Sequence, residues 1–517
     1  VNIVIKKYNE TYVKIEADIV VLQAISEYFS FKAENYQFTP KYKTGQWDGK
    51  IRLYDLNKNL FPIGLLFKLH AWLSKQDITI EYVNFDKSNT IANNQQIITF
   101  SEDVLKFPFP LRDYQLEAIK TGLCERKGVL LSPTGTGKSA IIYTLVKMIL
   151  HRNQDYKILI IVPTISLVDQ MVGDFDDYSV KLKRPCSKDC QKIFSGQDKQ
   201  IKKSIVVSTW QSLQTLPKEF FMQFGAVIVD ECHTGSTDGK TIKKIVEYCS
   251  RAKYKIGTSG TIQDAKLNEY SLNALYGKIY QFTQTSKEIE RGNLCDLIIN
   301  QIFLKYSKKE SADLLKEKIK IKQFHEGQAL GASLYHCEVN FINKLNYKRN
   351  LIESICKKQT DNILVLYRRN SQFGIKLFEQ LKNNLTDRQV FLVNGNTDKD
   401  IRNEVRKICE KSDNAIIVAN YGVFSTGVNI KRLHHIIFGE SIKSKISVLQ
   451  SIGRGLRVHS SKNKVNIYDI VDSLSYGKIK NSILKHAEVR LELYEREQFK
   501  VKKWEVQANT FIKESQN

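Results

Sequence analysis

The chain has 517 residues, which at roughly 150 per domain corresponds to about three to four domains and excludes a single small binding module. Hydrophobic residues make up 42% and charged residues 26%, with no Gly/Pro-rich or low-complexity stretch, so wholesale disorder is excluded as well. Lys and Arg outnumber Asp and Glu by 79 to 55, a formal charge of +24; this field favours a polyanionic partner, nucleic acid first, over the plainer reading of a basic surface kept for solubility. The nine cysteines are odd in number and lack the short even spacings of a secreted disulfide framework, so they read as reduced thiols. Cys186 and Cys190 lie four apart, but no second Cys/His pair follows at ligand spacing, and they read as loop thiols rather than a zinc site. The longest purely aliphatic run, residues 158–162, is far below the roughly 20 residues of a membrane span, and no signal-peptide pattern opens the chain. A cytoplasmic protein with no membrane partner is expected.

In chain order, Ile3 and Ile5, then Tyr12, Val13 and Ile15, alternate as strands do, and residues 19–29 carry helical apolar periodicity. These predict a small α+β domain over residues 1–100. Its centre, residues 41–54, mixes Lys41, Tyr42, Lys43, Trp47, Lys50, Arg52 and Tyr54 around Gly45 and Gly49, the pattern of a hairpin that touches nucleic acid. Trp47, Lys50 and Arg52 are its candidate contacts, and Trp47 reads equally well as a core residue. The Asn/Ser/Thr/Gln-rich stretch 84–96 marks a boundary. From about residue 107, buried-strand runs at 128–131, 158–162, 205–207, 227–229 and 255–257 alternate with helical periods and predict a parallel α/β domain over 105–295. A charged, helix-prone stretch at 305–358 precedes a second set of runs at 363–366, 390–393, 416–418, 435–438 and 465–470, a second α/β domain over 296–475. The Lys/Glu/Leu-rich remainder, 476–517, reads as a solvated helical tail, a lever or a DNA-touching appendage.

The strongest chemical signal is Ser132-Pro133-Thr134-Gly135-Thr136-Gly137-Lys138-Ser139, directly after an apolar strand and before a helix. Backbone amides freed by Gly135 and Gly137, with the helix N-terminus, can cradle phosphates; Lys138 reaches the β and γ oxygens and Ser139 ligates magnesium. Thr134 and Thr136 belong to the same loop. About ninety residues on, the strand 227–229 ends in Asp230 and Glu231, followed by Cys232 and His233. One carboxylate cannot do two jobs, so Asp230 is read as the magnesium carboxylate and Glu231 as the group that polarises the attacking water. Gln450, Arg454 and Arg457 have helical spacings of four and three, so on one helix they share a face and can deliver two guanidinia to a γ-phosphate.

These motifs, in order over about residues 111–472, resemble the superfamily 2 helicases and translocases with a DExH-type box. The resemblance implies an α/β chain of two tandem RecA-like parallel-sheet domains, here with the small N-terminal α+β domain and the helical C-terminal tail. It implies that Arg112 and Gln115 contact the nucleotide in the adenine-reading segment, and that Pro163 and Thr164, with Thr209 and Trp210, touch the nucleic-acid backbone. Thr258-Ser259-Gly260-Thr261 resembles the motif that couples hydrolysis to movement, with Ser-Gly-Thr replacing the commoner Ser-Ala-Thr. Residues 420–430 resemble motif V, implicating Thr426 on nucleic acid and Gly427 at the nucleotide; residues 450–457 resemble motif VI. The Asn35-Tyr36-Gln37-Phe38 and 45–53 stretches, 421–427 and Lys443-Ser444-Lys445-Ile446 are similar to the UvsW-type recombination helicases of T-even bacteriophages. That likeness implies a monomeric ATP- and Mg2+-dependent motor on branched or forked DNA, without sequence preference, acting on Holliday junctions, forks, D-loops and R-loops, with RNA met in the last. It places the protein in the bacterial host's cytoplasm if phage-encoded. An RNA helicase and the motor part of a restriction-type DNA translocase are the alternatives.

Overall fold

The computed structural model describes residues 2–33, 35–76, 78–86, 92–194, 199–234, 240–262, 265–323, 327–368, 373–423 and 430–511. Two compact units emerge: Val1–Pro133 with Gly137–Thr283, and Thr134–Thr136 with Gln284–Asn517.

The first unit opens with β1 (Asn2–Lys7), β2 (Tyr12–Glu16), β3 (Ser30–Lys32), β4 (Lys50–Arg52), β5 (Phe61–Pro62) and β6 (Thr79–Val83). Four of these make a sheet in the order β5-β2-β1-β6, antiparallel at β1–β2 and parallel at β1–β6. The alternation read from sequence puts Ile3, Ile5, Val13 and Ile15 fully inside, packed with Ile25, Phe29, Leu65, Leu69 and Leu73. The hairpin expected within residues 41–54 does not form. Pro40 opens a helical turn, Pro40–Lys43, because its fixed φ suits the first helical position, and β4 pairs instead with the distant β3.

The motor sheet of this unit comprises β7 (Lys127–Leu131), β8 (Lys157–Val162), β9 (Cys190–Ile193), β10 (Ile205–Thr209), β11 (Phe224–Asp230), β12 (Tyr254–Ser259) and β13 (Ile279–Gln281). Its order is β13-β7-β12-β11-β8-β10-β9, and every pairing is parallel. The near-continuous apolar runs are explained by burial on both faces: Ile158, Ile160 and Val162 enter one core cluster, Leu159 and Ile161 the other. Ala92, Ile97, Phe100 and Leu105 join the first of these clusters. Cys186 opens a 3₁₀ turn and Cys190 opens β9, both buried, so they are packed thiols rather than loop thiols.

The small domain is locked onto the motor sheet by the β1–β2 turn. Glu10 pairs with Lys127 of β7 at 2.8 Å, and buried Lys255 of β12 donates to Thr11 Oγ1 at 2.5 Å and to the Val246 carbonyl at 3.0 Å. Gly64 lies so close to the helix Lys266–Tyr276 that a Cβ there would stand 2.0 Å from the Asn273 carbonyl oxygen.

The second unit contains β14 (Asp296–Lys305), β15 (Ile363–Tyr367), β16 (Gln389–Val393), β17 (Ala415–Asn420), β18 (His435–Phe438), β19 (Lys464–Ser473) and β20 (Lys500–Gln507). They form a second all-parallel sheet in the order β16-β17-β15-β18-β19-β14-β20. The charged stretch after β14 is helical at Lys308–Lys322, Gly327–Lys344 and Tyr347–Lys358. The tail contains the expected helix, Ser482–Arg496, but it is not a solvated appendage: Ile483, Ala487, Arg490, Leu493 and Tyr494 are buried, and the chain then adds β20 to the sheet edge. Its lysines stand on the exposed positions of an edge strand, where charge blocks unwanted pairing.

Candidate functional site

In the first unit the candidate residues gather at the C-terminal ends of the parallel strands, the place where open α/β sheets bind ligands. The candidate phosphate loop follows β7 and runs into the helix Lys138–Arg152. Gly135 (φ 90°) and Gly137 (φ 81°) adopt left-handed backbone, which turns their neighbours' amides without a Cβ penalty. Gln115, 4% exposed, lies against this loop: a Cβ on Gly137 would meet its Nε2 at 2.7 Å. Gln115 Oε1 accepts the Arg112 amide at 2.9 Å, and Arg112 Nη1 donates to Tyr114 Oη at 3.1 Å, so both residues are anchored locally. Ser139 Oγ lies 2.7 Å from Tyr178 Oη. Tyr178 stands outside every sequence motif; it stacks on Phe107, with centroids 5.0 Å apart, and meets Phe109 edge-on at 5.9 Å, which ties it to the aromatic run before the glutamine.

The paired carboxylates close the site. Lys138 Nζ donates to Glu231 Oε1 at 2.6 Å, with both side chains largely buried. Burial opposes the charge on Lys138, but the carboxylates of Glu231 and Asp230 outweigh it and hold the ammonium above its ordinary value. Burial raises the Asp230 carboxyl, the Lys138 charge counteracts it, and the charge of Glu231 adds to it. Thr258 donates to Asp230 Oδ1 at 2.8 Å, and Ser259 Oγ reaches Glu231 Oε2 at 3.4 Å. His233 Nδ1 sits 2.8 Å from Ser259 Oγ and 3.3 Å from Glu231 Oε2, while burial pushes its pKa down against the pull of that carboxylate. Ser259 Oγ also donates to the Thr261 carbonyl at 2.6 Å. The strand-end acids and the segment 258–261 are thus one hydrogen-bonded group. Glu231 itself has φ 50°, left-handed backbone on a non-glycine residue, a conformation that costs on the order of 1 kcal/mol or more and is held by Cys232 N donating to the Thr258 carbonyl at 3.0 Å.

Pro163 and Thr164 follow β8, and Thr164 caps the helix Ile165–Tyr178 by accepting the Leu167 amide at 3.4 Å. Thr209 ends β10, 2% exposed, its hydroxyl 2.9 Å from Ser212 Oγ, and Trp210 packs against the apolar cluster under the sheet. In the small domain, Trp47 is half-buried with Nε1 donating to the Lys50 carbonyl at 2.9 Å. Lys50 pairs with Glu27, and Arg52 pairs with Asp48 at 2.5 Å; that guanidinium holds the Asp48 carboxyl at about 2. Both cations therefore already have carboxylate partners.

In the second unit, Gln450 and Arg454 lie on the helix Lys445–Gly455, one turn apart. Arg457 does not share that helix. Glycines at 453 and 455 weaken its last turn, the helix ends at Gly455, and Arg457 follows the buried Leu456. Thr134, Gly135 and Thr136 group with this unit. Thr426 and Gly427 lie outside the described residues.

Comparison with known proteins agrees with these features. Residues 1–84 match the family described as "DNA helicase UvsW, N-terminal", 108–264 match "Type III restriction enzyme, res subunit", and 344–459 match "Helicase conserved C-terminal domain". The chain is 33% identical over 516 residues to the ATP-dependent DNA helicase uvsW of Enterobacteria phage T4, covering 95% of this chain and 96% of the relative. The crystal structure of T4 UvsW superposes with a TM-score of 0.50 at 30% identity, covering 98% of this chain and 100% of that one. The DNA 3'-5' translocase XPB2 of Sulfurisphaera tokodaii is 25% identical over 70% of this chain and 83% of its own. The chain belongs to the superfamily 2 helicases and, within them, to the UvsW family of ATP-dependent DNA helicases.

Proposed function

We propose that this chain hydrolyses ATP to remodel branched DNA: migrating Holliday junctions, regressing forks, and unwinding D-loops and R-loops. The observation that carries the ATP half of this reading is the Lys138–Glu231 contact at 2.6 Å, wired through Ser259 and Thr258 to the segment 258–261. An incoming triphosphate competes for the Lys138 ammonium. As Lys138 turns to the phosphates, Glu231 is released to accept a proton from the attacking water. Ser259 and His233, which already touch Glu231, then report its state to the following segment.

The donor set suits Mg2+. Asp230 and Glu231 place two buried carboxylates against the Lys138 ammonium, and Ser139 adds a hydroxyl, all hard oxygens. Ser139 and Asp230 would hold the ion, which when bound neutralises charge on the β and γ oxygens. Arg454 and Arg457 are assigned to the charge that develops on the transferred phosphoryl group, and Gln115 with Arg112 to the base. Pro163, Thr164, Thr209, Trp210 and Thr426 are assigned to the DNA backbone, and the domain 1–100, through Trp47, Lys50 and Arg52, to the duplex arm of a branch. The match of residues 1–84 to a UvsW N-terminal domain, added to a generic motor, supports branch recognition over an RNA helicase or a restriction motor.

The test is ATP hydrolysis by the full chain with single-stranded DNA, duplex, a four-way junction, an R-loop and RNA as separate stimulants. Strongest stimulation by branched DNA, with junctions resolved into duplex arms and no strand cut, is expected. Stimulation by RNA alone would overturn the substrate.

A further inference from the structure

Glu440, Ser441 and Ile442 follow β18 and lead into the helix that carries Gln450 and Arg454. Buried polar contacts hold this short segment from several sides. Tyr421, just past β17, donates its phenol hydrogen to the Glu440 carbonyl at 3.0 Å. The Arg368 amide, just past β15, donates to the Glu440 carboxylate at 2.6 Å, and Asn343 of the helix Gly327–Lys344 approaches its other oxygen at 3.5 Å. From the C-terminal helix, Arg490 Nη1 donates to Ser441 Oγ at 3.1 Å and to the Ile442 carbonyl at 3.0 Å. The rest of that guanidinium is fixed by Asp469 of β19, Nε to Oδ2 at 3.0 Å and Nη2 to Oδ1 at 2.7 Å, and Tyr494 Oη adds a bond to the same carboxylate at 3.2 Å.

Arg490 is 1% exposed and Asp469 0%. A buried ion pair is a poor way to stabilise a helix, because apolar residues of the same volume do as well without the desolvation cost. What a planar guanidinium does that leucine cannot is bind a carboxylate with one edge and two further acceptors with the other, at fixed angles. Those further acceptors, Ser441 and Ile442, lie three and two residues before Ser444, the cap of the arginine-bearing helix. The match to a helicase C-terminal domain covers residues 344–459, so Asp469, Arg490 and Tyr494 lie beyond the matched segment.

We propose that Arg490 is a positioning residue for ATP hydrolysis: it fixes Ser441 and Ile442 and thereby aims Gln450 and Arg454, making the C-terminal helix part of the motor. Tyr421 and Arg368 tie the same segment to the ends of β17 and β15, so a shift at either strand end is passed to the arginine helix through Glu440. The proposal rests on the assignment of Arg454 to the ATP site.

The experiment compares the full chain with Arg490→Lys, Ser441→Ala, Glu338→Gln and Arg454→Ala in DNA-stimulated ATP turnover, DNA affinity and thermal unfolding. A lysine keeps the charge facing Asp469 but cannot also reach Ser441 and Ile442. Glu338 accepts the Ser482 and Ile483 amides at 2.9 and 2.8 Å, so Glu338→Gln loosens the same helix at its other end. Expected is a fall in kcat of about tenfold for Arg490→Lys and about threefold for Ser441→Ala, with KM for ATP and DNA affinity within about twofold. Glu338→Gln is expected to lower Tm and leave kcat in place. If Arg490→Lys and Ser441→Ala turn over like the parent while Arg454→Ala is silent, the positioning role is wrong and the ATP-site assignment stands. Loss of kcat in Glu338→Gln equal to that in Arg490→Lys would also overturn it, since helix loosening alone would then suffice. Undiminished turnover by Arg454→Ala overturns the assignment beneath it. Should Arg490→Lys not fold, Ser441→Ala decides alone.

Discussion

Glu231 combines left-handed backbone, an ammonium at 2.6 Å and a histidine at 3.3 Å, a cluster that stability alone does not require. If it is the group that takes the water proton, Glu231→Gln keeps shape and hydrogen bonds but removes the base. Turnover should fall by about 10²-fold or more while DNA affinity stays within a few-fold, read by phosphate release and fluorescence anisotropy side by side. Unchanged hydrolysis would remove Glu231 from the mechanism. The buried histidines give a second, independent expectation. Burial holds His435 at about 4 against the pull of Asp361, and His486 at about 4, both below the roughly 6.5 of an unfolded chain. The unfolded state therefore binds protons first on acidification, so the stability these groups contribute is complete above about pH 6.5 and drains away as pH falls towards 4. Tm should drop through that window, and His435→Phe should flatten the drop; an identical slope in the variant would exonerate His435.

The docking of the small domain on the motor sheet depends on a missing side chain. At Gly64 a Cβ would stand 2.0 Å from the Asn273 carbonyl and 2.8 Å from the Gly277 amide, both backbone atoms that cannot rotate away. Gly64→Ala should destabilise the first unit by about 1–3 kcal/mol and expose its turn to protease, with ATP-site residues untouched; chemical denaturation and limited proteolysis would show it. A variant as stable as the parent would mean the domain can step back without loss. Nothing in the sequence marks Gly64 as such a contact, because close approach is a tertiary property. The central strands were legible for the opposite reason: β8, β11, β15 and β18 are buried on both faces and spell continuous apolar runs. The edge strands β9, β13 and β20 were not: β9 and β13 have only four and three residues, and β20, mostly exposed, reads Lys-Val-Lys-Lys-Trp-Glu-Val-Gln, a helix-like mixture of charge and apolar residues. In the candidate site, the glycine loop and the acid pair stand out in the sequence because the chemistry they suggest needs consecutive residues. Tyr178 and Arg490 could not, since Tyr178 meets Ser139 across a sequence separation of 39 and Arg490 meets Ser441 across one of 49, with no local pattern to announce either.

Across the whole chain, 79 cations against 55 anions is a surplus larger than the site itself uses. Ion pairing leaves that surplus intact, because each pair takes one anion with its cation, as Lys50 and Arg52 do with Glu27 and Asp48, and Lys127, Lys348 and Arg490 with Glu10, Asp472 and Asp469. What remains on the surface is a field that attracts phosphates without reading bases, and its signature is thermodynamic. Each phosphate neutralised releases condensed counterion, so the logarithm of the association constant should fall linearly with the logarithm of salt at a slope near −0.9 per contact on duplex DNA. With about six or more such contacts, affinity should drop by about 10³-fold between roughly 50 and 200 mM salt, equally for unrelated sequences. The same titration on a four-way junction separates charge from shape. If branch recognition adds contacts of the same kind, the junction slope is steeper than the duplex slope. If it comes from packing of the small domain against the arm, the slopes are parallel and the junction line is merely displaced to higher affinity. A flat salt dependence on every substrate would mean that the surplus charge serves solubility and that DNA is held by other means.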